Sequence, residues 1–415
     1  MKKDYKSTLY IWLLFLLSPF LTLLYSLRNN NPGWAKNILW AFIVFYGFNF
    51  VISDDKMDAN RYAENFIILH NKEITFENFL SSLLTDEESS FLDFACPVIQ
   101  FIVSRFTDNP SALFGSFAII YGFFYTRNLW FLLDKVEGKL PVLSVAIFSI
   151  VALAMPFWSI NGFRFWAASH IFLYGLLQYL YGERNRKHLL MASVSILFHF
   201  SFIIPLVIVI SSSVVKWNLK VLFYLFLASF LVTSFNLQPL QDFLMRYSPA
   251  IFQKKLHTYV NQDYADSIET AKQSTKWFVI MRSDFLRYFA LLLATLVYFR
   301  SSEILKKNPV YLYVFAFILF FSSVTNIIGI IPSVGRFQMI SYFLLYGFVF
   351  LILQHYWWEV RAIKRAVLVC LPLIVFFVVF QFRLGFQTIN VLTFIGNPLI
   401  SIVDPGMAMI DFIKN

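Results

Sequence analysis

Charge is scarce in this sequence. Only 14% of its residues are Asp, Glu, Lys or Arg, against about 25% in an ordinary soluble domain. So little polar surface cannot cover a core that must hide 51 phenylalanines, which excludes a water-soluble globular protein. Cysteine is nearly absent: Cys96 and Cys370 lie far apart in apolar surroundings, which excludes a disulfide framework and a cysteine metal site. No period-two alternation of apolar and polar residues runs along the chain, so a membrane β-barrel is excluded as well. Internal repeats and low-complexity tracts are missing. No small-residue cleavage site follows the first apolar run, which is therefore read as a span and not as a removable leader.

What is present is 59% hydrophobic and 20% aromatic residues, gathered into apolar runs of bilayer-crossing length. The expected fold is an all-α, polytopic integral membrane protein, a single membrane domain over residues 1–415. About ten spans are predicted, near 8–27, 38–53, 111–133, 140–159, 163–181, 221–235, 285–300, 309–331, 337–354 and 366–384. The formal charge of +10 invites a nucleic-acid reading. Most Lys and Arg sit instead in short turns between apolar runs, where they set topology and meet lipid headgroups, so membrane lipids and no nucleic acid are expected as partners.

The basic turns fix a cytoplasmic side: Lys135 and Lys139; Arg184, Arg186 and Lys187; Arg300, Lys306 and Lys307; Arg361, Lys364 and Arg365. Two longer segments then fall outside, 54–93, which is strongly acidic, and 236–284, which mixes basic and aromatic residues. The apolar run 94–106 is too short to cross and is read as an interfacial or re-entrant helix. Residues 189–212 pose a parity problem, because both flanks are basic. A broken or re-entrant pair bending near Phe198-His199-Phe200-Ser201 resolves it.

One outside face then collects Asp58, Arg61 and Tyr62, Asn161 and Arg164, Arg282 and Arg287, and Arg336, with His199 approaching from within. Each of these arginines could also simply reach headgroups at a helix end. Gathered on one side, they suit a lipid-linked pyrophosphate, because guanidinium forks match phosphate oxygens and offset charge on a departing diphosphate. A carboxylate or a histidine could take the proton of an attacking sugar hydroxyl.

The run Asp58-Ala59-Asn60-Arg61-Tyr62-Ala63-Glu64-Asn65-Phe66 resembles the D-x-x-R-Y-A-x-x-F pattern of EpsG-like, Wzy-type polysaccharide polymerases. Asn161-Gly162-Phe163-Arg164 resembles that family's N-G-x-R element, His199-Phe200-Ser201 its H-x-S element, and Gly335-Arg336-Phe337 its late G-R-[FY] turn. The resemblance implies a GT-C-like glycosyltransferase of the bacterial inner membrane, its active site toward the periplasm or cell exterior. It would join undecaprenyl-pyrophosphate-linked oligosaccharide repeats into O-antigen, capsule or exopolysaccharide, with a chain-length regulator as a candidate partner and no cofactor. Arg164 and Arg336 would bind the pyrophosphate, with Asn161, Tyr62, Arg282 and Arg287 around the substrate. Asp58 and Arg61 would orient the acceptor or move its proton, and His199 would support the centre.

Three alternatives stay open. Asp54 and Asp55 could hold a metal in a GT-C transferase that uses a polyprenyl-phosphate sugar. A flippase for lipid-linked oligosaccharides would show internal repeats. A membrane O-acetyltransferase would need an acyl donor.

Overall fold

The computed structural model describes residues 5–28, 33–53, 57–85, 93–214, 218–232, 237–249, 274–331, 333–400 and 406–414, with positions 253, 267 and 270. Asp54 and Asp55, and most of the centre of the 236–284 segment, lie outside the described residues. The described chain is helical, with only isolated bridges at Phe50–Ile389 and Asn390–Ala408.

Helices α1 (Tyr5–Leu17), α2 (Pro19–Arg28) and α3 (Ala35–Phe48) open the chain. Then come α4 (Asp58–Asn71), α5 (Phe76–Thr85) and α6 (Ala95–Ser104), followed by the long α7 (Pro110–Leu133) and α8 (Val142–Ala154). A 3₁₀ turn over Phe157–Gly162 leads into α9 (Phe163–Tyr181). Next are α10 (Arg186–Ser193), α11 (Ser195–Phe198), α12 (Ile203–Val214), α13 (Leu219–Ser229) and α14 (Gln238–Tyr247). The remainder comprises α15 (Trp277–Arg300), α16 (Ser302–Lys307), α17 (Pro309–Ile328), α18 (Phe337–His355), α19 (Arg361–Val369), α20 (Leu371–Gly385) and the short α21 (Leu392–Ile395) and α22 (Met409–Lys414).

Local sequence accounts for where these helices start and stop. Asn109-Pro110 and Asn308-Pro309 open α7 and α17: each asparagine side chain accepts orphan backbone N–H groups, at 2.9 Å from Ser111 and 3.1 Å from Val310, while the proline occupies the first turn. The run 189–212 does not form one helix. At His199 the backbone is extended (φ −153°, ψ 115°), separating α11 from α12. A second break, of 56°, separates α19 from α20 at Cys370-Leu371-Pro372, where proline cannot continue a helix interior.

By length and composition, three described stretches could cross a membrane: Val142–Tyr181, Pro309–Ile328 and Val334–His355, with a fourth if α19 and α20 form one bent span. The other apolar helices are shorter, among them Ala35–Phe48 and Leu219–Ser229. The stretches that could cross are fewer than the apolar runs because Val142–Tyr181 joins two of the runs, several helices are short, and the continuous 24-residue α7 and α15 carry more polar residues. Of these stretches Val334–His355 is the most enclosed, with 83% of its apolar core segment buried. Its helix α18 packs against α8, α15 and α17. Helices α3 and α7 touch without side-chain spacers: a Cβ on Gly47 would stand 2.3 Å from Ala118 Cβ, and one on Gly115 would meet the ring of Phe48 at 2.6 Å. Small residues at such crossings let backbones approach closely.

Helix ends sort into two groups. His355 Nε2 is 2.8 Å from the carbonyl of Lys135, His355 Nδ1 is 2.6 Å from the hydroxyl of Tyr311, and Arg184 lies 3.6 Å above the ring of Tyr313. These contacts bring the basic turns after α7, α9 and α18, with the start of α17, to one end of the bundle. Ser212, near the end of α12, meets Tyr313 at that same end. The starts of α9 and α18 lie at the opposite end.

Candidate functional site

That opposite end is built from turns. Asn161, in the turn before α9, accepts the backbone N–H of Ala59 at 3.2 Å and so fixes that turn to the first turn of α4, where the N–H groups lack helical partners. Asp58 opens α4 and pairs with Arg61 one turn on. The carboxylate is partly buried and the Arg61 side chain is 66% exposed, pointing the pair's cation outward. A Cβ on Gly162 would be 3.9 Å from Asp58 Oδ2 and 3.2 Å from Trp166 Nε1. The carboxylate and the indole therefore flank the same bare stretch of backbone.

The chain enters α18 through a similar turn, Val334–Arg336, after Ser333 in a left-handed conformation (φ 65°). A non-glycine residue there costs about 1–2 kcal/mol, which the surrounding packing must supply. Arg336 leaves this turn exposed, its guanidinium 5.6 Å over the ring of Phe165. His199 packs on the same ring at 5.4 Å, and its Nδ1 is 2.7 Å from the Ser201 hydroxyl. Phe165 thus joins the starts of α9 and α18 to the break before α12.

Between these turns lies a cavity of about 440 Å³. Its wall includes Trp158, Asn161, Trp166, Arg282, Arg336 and Gln387. Two arginines face it and no carboxylate lines it among the described residues. Arg282 reaches it from the start of α15, its guanidinium 5.2 Å over Phe380 of α20. The remaining wall mixes two tryptophans and neutral-polar side chains with apolar ones such as Met57, Leu286, Met339 and Leu384, and its aromatic and amide groups suit an uncharged polyol attached to an anion.

Arg164 does something different. Its Nη1 donates to Asp93 Oδ2 at 3.0 Å and its Nε to the Tyr62 hydroxyl at 3.3 Å. Asp93 is only 5% exposed, and its other oxygen accepts the backbone N–H of Phe200 at 3.0 Å, the amide released where the helix breaks at His199. Burial raises the Tyr62 phenol above its ordinary range, so it stays neutral and can accept from the guanidinium. Burial likewise pushes the neighbouring Cys96 thiol up to about 12, which keeps it protonated and inert.

The structure therefore brings Asn161, Arg282 and Arg336 to one cavity, with Asp58 beside it and His199 behind Phe165. Arg164 and Tyr62 form an adjacent buried cluster and do not line the cavity. Arg61 points outward. Arg287 is turned to α13, its Nη2 donating to the carbonyl of Phe230 at 3.3 Å, and is absent from the cavity wall. Sequence reasoning passed over Asp93, hidden among the acids of its loop, although its place two residues before α6 was a usable signal. It also assigned no role to Trp158 and Trp166, which bracket the turn that carries Asn161 and Arg164. Among the described residues no group of three or more His, Cys, Asp or Glu is placed to hold a metal ion.

A family model, that of the EpsG family, matches residues 38–393. No curated protein and no solved structure matches the chain. The matched stretch contains every residue of the cavity wall, the α4 motif and the Arg164–Asp93 cluster.

Proposed function

The chain belongs to the EpsG family of Wzy-like polysaccharide polymerases, and from that membership we propose that it joins undecaprenyl-pyrophosphate-linked oligosaccharide repeats. Its place is the bacterial inner membrane, with the cavity open to the periplasm or cell exterior and the basic turns on the cytoplasmic side. The ten spans, the GT-C-like arrangement, and residues 189–212 as a re-entrant hairpin turning at His199 belong to the same proposal. The supporting observation is the cavity wall, two arginines with no carboxylate among the described lining residues.

In the proposed reaction the oxygen of an acceptor sugar hydroxyl forms a bond to the anomeric carbon of the donor. The bond from that carbon to the diphosphate breaks, and the diphosphate leaves on its lipid with the bonding electrons. Arg282 and Arg336 offset the charge that develops on it. The hydroxyl proton passes to the carboxylate of Asp58, which Arg61 orients. Arg164, held by Asp93 and Tyr62, fixes the turn that carries Asn161, and His199 props the ring on which Arg336 rests. A chain-length regulator and membrane lipids are the proposed partners.

Deleting the chain from its host and analysing the lipid fraction tests this reading. Single lipid-linked repeats should accumulate on the outer side while long polymer disappears, and a plasmid copy carrying Arg336→Ala should fail to restore it. Long polymer persisting in the deletion strain would overturn the reading. Accumulation on the cytoplasmic side would point to transport of the lipid-linked sugar instead.

A further inference from the structure

The polymerase reading explains the two arginines of the cavity and leaves its tryptophans unused. Trp158 is nearly buried, wedged against Gly385, where a Cβ would stand 2.8 Å from the indole, and flanked by Phe157 at 4.9 Å and Phe382 at 5.6 Å. It is a fixed wall. Trp166 is only half-buried, on the first turn of α9, with Phe165 edge-on at 5.0 Å.

Room for that indole depends on Gly162. Any larger residue would place its Cβ 3.0 Å from Trp166 Cδ1 and 3.2 Å from Nε1, while Asp58 Oδ2 lies 3.9 Å from the same point. An aromatic face, an N–H donor and a carboxylate are thus set around one gap in the backbone. Arg336 and Arg282 line the same cavity, together with the neutral side chains of Asn161 and Gln387. A ring of C–H and O–H groups attached to a diphosphate has matching chemistry: its apolar face fits an indole, its hydroxyls fit amides and a carboxylate, and its anion fits the guanidinium groups.

Resting on the polymerase reading, we infer that Trp166 is the platform for the first sugar of the lipid-linked donor, with Trp158 as the opposing wall. The indole holds the sugar next to its diphosphate so that the anomeric carbon lies between the arginines and Asp58. Gly162, lacking a Cβ, leaves the room that the indole occupies.

The test compares two probes on the full chain in proteoliposomes: undecaprenyl pyrophosphate, and the same lipid bearing the single repeat extracted from cells that lack this chain. Wild-type protein should bind the sugar-bearing lipid more tightly than the bare one. Trp166→Ala should lose that preference through a drop of about tenfold for the sugar-bearing lipid, with bare-lipid affinity unchanged within about twofold. Trp166→Phe, which retains an aromatic face, should keep most of the preference. A Trp166→Ala protein that keeps the preference, or loses both affinities equally, overturns the inference, as does a wild type with no preference. Bare-lipid binding that Arg336→Ala leaves unchanged overturns the diphosphate assignment beneath it.

Discussion

Asp93 and Arg164, 71 positions apart in sequence, form an ion pair of 3.0 Å whose carboxylate also accepts the Phe200 amide. One side chain therefore closes the charge of an arginine and the open end of a broken helix. This divides the arginines into two kinds. Arg164 is committed to the protein, whereas Arg282 and Arg336 face a cavity with no lining carboxylate among the described residues.

The first prediction follows from that division. Arg164→Ala leaves a carboxylate that is 5% exposed without its cation, and Asp93→Ala strips the partner from a guanidinium that is 36% exposed. Breaking a fully buried pair costs about 3–5 kcal/mol, so Arg164→Ala should approach that range and Asp93→Ala fall below it, near about 2 kcal/mol. Thermal unfolding in detergent should show both losses, and the double variant Asp93→Asn with Arg164→Gln should recover part of the stability without recovering polymer.

Arg282→Ala and Arg336→Ala should behave otherwise. Each removes a cation from the cavity without orphaning a carboxylate among the described residues, so membrane levels and unfolding temperature should stay near wild type. Polymer formation should fall by about 10²–10³ for each, the scale for removing one group that stabilises developing charge. Glycan chain-length profiles check this.

Asp58 and Arg61 separate in the same assay. Asp58→Asn keeps the shape of the side chain but cannot take a proton, and should lower the turnover rate by about 10²–10⁴. Arg61→Ala removes a side chain that is 66% exposed, and should cost less than Asp58→Asn at every pH tried. Single-turnover rates with purified lipid-linked repeats distinguish the two.

A packing prediction concerns the α3–α7 crossing. Gly47→Leu must push apart two helices whose backbones already meet, since even a Cβ there would stand 2.7 Å from the carbonyl of Phe114. Overpacking of this kind costs about 1–3 kcal/mol or more. The variant should show a lower unfolding temperature and reduced membrane levels, and wild-type values for both would contradict the crossing.

Apolar run length and basic turns made the helical membrane class readable, because both reflect interactions with the bilayer that any sequence must respect. The expectation of a bend near Phe198–Ser201 came from basic residues on both flanks of 189–212, and the backbone is extended at His199. What sequence left hidden was partnership. Arg164 and Arg336 sit in similar helix-start turns, and nothing local says that one finds Asp93 and the other a cavity. Arg287 likewise shares a helix with Arg282, yet it turns toward the Phe230 carbonyl, a difference of helical face that only the packing of α13 on its neighbours decides.

The most direct measurement uses purified chain in proteoliposomes supplied with single lipid-linked repeats, following glycan length and released undecaprenyl pyrophosphate together. Wild-type protein should give a ladder of products with one lipid pyrophosphate freed for each new linkage, and Arg336→Ala should give neither. A ladder of normal length from Arg336→Ala, or lipid relocated across the bilayer with no glycan growth in wild type, would contradict a diphosphate-gripping polymerase.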